Sequence, residues 1–281
     1  AIGNAALNAN TTASSNTAVG YQALCANTTG TLNTAVGDSA LKANTTGQRN
    51  SALGKDALLS NTTGSENVAM GRQAMRLNTS GANNIAIGHE ALQANSTACN
   101  NTAVGYQALF DNTTGTSLVA VGFGALANNT TANSNTAVGY NALAINTTGA
   151  ENTGLGTGAL YANTTGAYNS SVGYGALDSN TTGSSNTALG HNALTSNTTS
   201  ASNTAVGYQA GYSSTATQNN FFGRQSGYNV TTGNRNTFIG SYVGYSVTTG
   251  AGNTFIGNSG SNDSAGGGYY MTTGSDNTII G

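Results

Sequence analysis

The chain has 281 residues, of which only 6% are charged, against about a quarter in ordinary globular domains. Its formal net charge is −2, Pro and Trp are absent and Gly numbers 40, which excludes a basic nucleic-acid surface and a charge-rich disordered arm. Hydrophobic residues make up 37% and stand at fixed places, and no run nears the ~20 apolar residues of a membrane helix. The composition implies order without a single globular core.

In chain order, the first signal is a period. The sequence opens in mid-motif at Ala1-Ile2-Gly3 and closes in mid-motif at Ile279-Ile280-Gly281, so a segment of a longer array is expected. The glycine that ends each Ala-Val-Gly-like triplet recurs through Gly20, Gly37 and Gly54 to Gly207 in steps of 17. Gly223 follows after 16, Gly240 and Gly257 after 17 each, and Gly281 after 24, which places an insertion near residues 261–272. The unit reads N-T-A-V-G-Y-Q-A-L-x-A-N-T-T-G-x-x, as in Asn16–Leu32. Helical repeats run to about 33–47 residues and propeller blades to about 40–50, so 17 suits neither. Internal Gly and the Asn-Thr-Thr-Gly cluster also favour turns over helix.

These features predict an all-β fold, a parallel β-solenoid (β-roll) of about sixteen 17-residue coils. Thr-Ala-Val and the segment through Ala-Leu are expected as two short strands, with a turn at Asn27-Thr28-Thr29-Gly30. Coils paired at ~4.8 Å give a rod roughly 75–80 Å long. Residues 1–281 are read as one repeat rod, regular over 1–207 and variant over 208–281.

Two adjacent pairs carry the apolar residues: Ala18-Val19, repeated as Ala35-Val36 and Ala86-Ile87, and Ala23-Leu24, repeated as Ala40-Leu41 and Ala57-Leu58. Strand neighbours point to opposite faces, so one face fills the coil and the other needs a cover. The Leu24, Leu41, Leu58, Leu92, Leu109 and Leu126 ladder is expected at contacts between chains. The alternative turns those leucines inward at a corner. In the last coils Phe221, Phe238 and Phe255 replace the Ala18-type residue, while Gly227, Gly244 and Gly260 replace the Leu24-type residue. Conserved total volume implies that the two positions share one packing compartment. The column after the glycine varies (Tyr21, Asp38, Lys55, Arg72, His89, Tyr106, Phe123, Tyr140, Thr157), as a column facing solvent or a partner does. Its tyrosines either contact glycans or stack on one another.

Two further ladders stand out. Asn10, Asn27, Asn44, Asn61, Asn78, Asn95, Asn112, Asn129, Asn146, Asn163, Asn180 and Asn197 each begin an N-x-[ST] sequon. They are read either as glycosylation sites or as a stacked amide ladder, and glycans ~4.8 Å apart would crowd. The Asn16-Thr17 column, repeated as Asn33-Thr34 and Asn101-Thr102, resembles the threonine arrays of ice-binding solenoids.

Catalytic chemistry is missing from the pattern. His89 and His191 stand six coils apart, about 29 Å at the stacking rise, and cannot share a metal or a triad. Asp38, Asp56, Glu66, Glu90, Asp111, Glu151 and Asp178 are scattered singly, and no phosphate loop of the Walker type occurs. Cys25 and Cys99 occupy different repeat positions near 20 Å apart, too far for a disulfide. No enzyme activity, cofactor, metal site, nucleic acid or membrane contact is expected.

Coils such as Asn101–Leu109, reading N-T-A-V-G-x-x-A-L, and the core Ala86-Ile87-Gly88-His89-Glu90-Ala91 resemble the head repeats of trimeric autotransporter adhesins and related bacteriophage tail-fibre repeats. The resemblance covers nearly the whole chain. It implies a left-handed β-roll, three chains side by side, and an extracellular place on a cell surface or virion. The period of 17 and the Asn-Thr-Thr-Gly turn depart from that family's usual coil. The expected role is a structural or adhesive fibre segment that self-associates, as a homotrimer or end to end, and meets a cell-surface or glycan receptor. A glycan-coated single-chain filament and an ice-binding solenoid are the other readings.

Overall fold

The structure, a computed structural model, describes residues 1–258, 268 and 270–281. The replacement of the Leu24-type residue by Gly260, and most of the insertion near 261–272, lie outside the described residues. The chain forms two compact units, Ala1–Val138 and Gly139–Gly281. Both are all-β parallel solenoids.

In the first unit, three-residue strands run from Thr17–Val19 to Thr136–Val138 and stack in sequence order. They pair in parallel at the repeat offset, Thr17 with Thr34 and Ala18 with Ala35. The second unit does the same from Thr153–Leu155 to Thr278–Ile280. The irregular steps leave its register intact, for Thr204 pairs with Asn220 and Thr254 with Thr278. Length changes are therefore absorbed in the turns.

One strand per coil forms where two were expected. The segment after Gly20 is a run of turns. Ala23 N–H donates to Gly20 O (3.4 Å), Cys25 N–H to Gln22 O (3.3 Å) and Asn27 N–H to Leu24 O (3.2 Å). Gln22 and Leu24 adopt φ of 52° and 51°, the left-handed region that closes such turns. Alternate N–H groups still reach the next coil: Leu24 donates to Ala40 O and Ala26 to Lys42 O, both at 3.0 Å. Because so many N–H groups are committed along the axis, proline, which has none, has no place here.

The loss of strand geometry decides which side chains go inside. In the true strand alternation holds, so Ala18 is buried and Thr17 and Val19 face outward. In the turn run alternation fails, and Ala23 and Leu24 both point inward. Leu24, Leu41, Leu58, Leu92, Leu109 and Leu126 are all fully buried within the single chain. The Leu ladder is thus the core of the coil and no contact between chains.

The Phe–Gly exchange is a shared compartment, as its volume balance implied. A Cβ on Gly227 or Gly244 would collide with the ring of Phe221 or Phe238 of the same coil. In the last coil Gly268 meets the ring of Phe255. Gly211, one coil earlier, also makes room, for its Cβ would lie 2.5 Å from Phe221 Cδ2.

Candidate association surface

Two amide ladders bind the coils from within. In the sequon column of the first unit, Asn44 Nδ2 donates to Asn27 Oδ1 (2.8 Å) and to Gly47 O of its own turn (3.0 Å). Asn61 repeats the pattern on Asn44, and Asn163 and Asn180 repeat it in the second unit. Asn27 through Asn129 and Asn146 through Asn197 are buried in this column, and Asn10 is half-buried. A sugar attaches through that Nδ2, whose two N–H groups are already spent inside the coil. The column is an amide ladder, and the folded coil has no room for a glycan coat. Ser214, Val230 and Val247 follow in its place, and Asn197 Oδ1 ends the ladder buried with no partner.

The second ladder is the Asn16 column. Asn67 Nδ2 donates to Asn50 Oδ1 (3.1 Å) and Gly81 O (2.9 Å). Its Oδ1 accepts from Asn84 N–H (3.0 Å) and Asn84 Nδ2 (3.1 Å). Fully buried Leu118 interrupts this column in the first unit; its N–H still donates to Asn101 Oδ1 at 3.0 Å, but it has no amide to pass on. Replacing Asn67 by alanine removes all four side-chain bonds and strands Asn84 N–H in the core. A loss on the order of 2–4 kcal/mol is expected in chemical denaturation. A midpoint equal to wild type would mean that the ladder does not hold the coils together.

The outward face of the strands is different. Its third position is a continuous apolar column: Val19, Val36, Leu53, Met70, Ile87, Val104 and Val121 in the first unit. Leu53 is 46% exposed and Ile87 38%, although both are β-paired along the backbone. A shallow apolar groove of about 480 Å³ lies elsewhere, against Cys25, Ala43 and Leu59 on the turn side. On the strand side a second groove of about 220 Å³ is lined by Val36, Ala52, Leu53 and Met70. The second unit carries the same outward column in Leu155, Val172, Leu189, Val206, Phe222 and Ile239. Beside it runs the Thr17 column, with Thr17, Thr34 and Ser51 exposed and with Val68, Ile85 and Val119 breaking the threonine series.

The column after the glycine is exposed, and its aromatic members stack. Tyr106 lies between His89 (5.4 Å between ring centres) and Phe123 (5.0 Å). In the second unit His191 lies between Tyr174 (5.1 Å) and Tyr208 (5.4 Å). Where two faces are covered along the axis, as for His191 between Tyr174 and Tyr208, mainly the ring edge is left for solvent.

Cys25 and Cys99 are free thiols. Among the described residues no three His, Cys, Asp or Glu side chains gather as a metal site would need, and no helix is long and apolar enough to cross a membrane. Burial raises the Asp111 and Asp178 carboxyls above their ordinary range. No known protein family, curated protein or solved structure matches the chain.

Sequence reasoning missed the Val19 column as the exposed ladder. The signal was present, because strict alternation across Thr-Ala-Val puts Val opposite Ala.

Proposed function

We propose that the chain is a structural fibre segment, a stiff extracellular β-solenoid whose copies associate side by side through the outward strand face, three chains to a bundle. The observation that carries this reading is the unbroken apolar column of Val36, Leu53, Met70 and Ile87 left on the surface of a hydrogen-bonded strand ladder. Soluble monomers rarely expose a contiguous apolar stripe, and such stripes mark interaction surfaces. A column with one residue per coil offers the same contact at every level, so affinity accumulates along the axis. The interior supports the mechanical part of the role, since each coil is tied to its neighbours by backbone bonds and amide ladders. Three-fold assembly and surface display rest on the resemblance of the repeat to adhesin heads and tail fibres.

Sedimentation equilibrium tests the reading. The wild type is expected at the mass of three chains, and the Leu53→Asp, Ile87→Asp double variant at the mass of one, with unchanged circular dichroism. A wild type that stays a single chain at high concentration overturns lateral association.

A further inference from the structure

The second unit holds a small polar pocket, of about 130 Å³, that the fibre reading does not use. It arises from three departures from the repeat. Gly158 and Gly175 stand in the column that carries Gln22, Gln107 and Gln209 in other coils. Thr157 stands where neighbouring coils carry Tyr140 and Tyr174. Two amide side chains and one ring are therefore missing from adjoining coils, and the gap is the pocket.

The groups around it have one chemical character. Tyr174 is stacked on His191 on one side, while the coil on its other side offers only Thr157. The exposed Tyr174 side chain lines the cavity. Asp178 lines the pocket half-buried, with its Oδ1 3.5 Å from where a Gly158 Cβ would lie. Asn192 Oδ1 lies 2.5 Å from where a Gly175 Cβ would stand. Thr195 Oγ1 donates its proton to Gly175 O at 3.2 Å, so it offers only lone pairs to the cavity. Carboxylate, amide oxygen and hydroxyl lone pairs converge beside an aromatic face.

No counter-charge from the same unit answers Asp178. The only Lys or Arg residues from Gly139 to Gly281 are Arg224 and Arg235. Arg224 lies over the Tyr208 and Tyr242 rings, and Arg235 belongs to a later coil. Burial accordingly pushes the Asp178 carboxyl above its usual range. A ligand that brought a positive charge and several N–H donors would satisfy every group at once.

We infer that this pocket binds a protonated alkylammonium head group, held by Asp178, Asn192 and Thr195 and capped by the Tyr174 ring. The ammonium donates to the three oxygens, and its charge rests against the ring face. An anion is disfavoured by the carboxylate. A neutral sugar is a poorer fit, because it would leave the Asp178 carboxylate without a counter-charge. The same chemistry has two sources, a free small amine or the lysine side chain of another protein.

Titration calorimetry on the full chain tests this with n-butylammonium, with a short peptide carrying one lysine, and with neutral n-butanol. Saturable binding of butylammonium, absent for butanol, is expected. Asp178→Asn should weaken it by on the order of tenfold or more. Gly158→Gln restores the side chain that other coils carry at this position and should abolish binding by filling the pocket. Its Cβ meets only ordinary contact, so circular dichroism should match wild type. Tighter binding of the peptide than of butylammonium points to a protein lysine, and equal binding to the head group alone. Butylammonium binding that survives Asp178→Asn, or butanol binding as tightly as the amine, overturns the proposal, as does the absence of saturable binding.

Discussion

Gly71→Ala is expected to cost about 5 kcal/mol or more, the range reserved for a core that cannot adjust. Gly71 has φ of +135°, a conformation that L side chains rarely adopt. An added Cβ would strike the carbonyl oxygen of Gly88 in the next coil and come within 3.2 Å of His89 N. The coils cannot spread to admit it. Gly71 N–H donates to Leu53 O at 2.8 Å, and Gly88 N–H to Met70 O at the same distance. Those bonds fix the pitch on both sides of the clash. Gly158→Ala is the matched control, since its Cβ meets nothing nearer than Asp178 Oδ1 at 3.5 Å and other coils place Gln in that left-handed column. It should cost only about 1 kcal/mol. Thermal and urea unfolding of the two variants read the difference, and similar midpoints would sink the close-approach explanation for the glycine period.

The second large effect is expected at the junction between the Leu-filled and Phe-filled coils. Gly211→Leu alone should prevent the surrounding coils from folding, because the Phe221 ring already occupies the space. Phe221→Ala alone should cost about 3–5 kcal/mol, the usual penalty for emptying a buried aromatic site. Together the two changes should recover part of that loss, because the space beside Gly227 that the ring also fills stays empty. They rebuild the Leu-under-Ala arrangement of the preceding coils, and Gly211 already has the left-handed φ of 59° that Leu194 adopts at 51°. A double-mutant cycle measures the coupling. Additive losses would show that positions 211 and 221 do not share a compartment.

The parts of this fold that the sequence disclosed follow from strict periodicity. The 17-residue step fixed the coil, and Thr-Ala-Val alternation fixed the strand. The second apolar pair misled because Ala23-Leu24 looks like a strand pair, while Leu24 takes a left-handed φ that no leucine advertises. With alternation broken, both side chains turn inward, and the exposed ladder moves to Val19, Val36 and Leu53. Volume exchange between Phe238 and Gly244 was legible without any backbone knowledge, since it needs only that two positions touch. Gly211 escaped notice because its partner Phe221 belongs to the following coil. The Asp178 pocket was harder to see, since its signal is what is missing: Gly158 and Gly175 in a glutamine-bearing column and Thr157 in an aromatic one.

The two amide ladders also set where a stretched solenoid gives way. Tension along the stacking axis loads every coil boundary in series, while the bonds at one boundary share the force. A boundary with fewer cross-links yields first. In the first unit that is the level of Leu118, where the Asn16 column lacks its amide; in the second it is the stretch beyond Asn197, where Ser214, Val230 and Val247 leave the sequon column without one. Rupture at Leu118 leaves both ladders intact on either side, whereas past Asn197 only the Asn16 column continues, so each unit carries its own mechanical fuse.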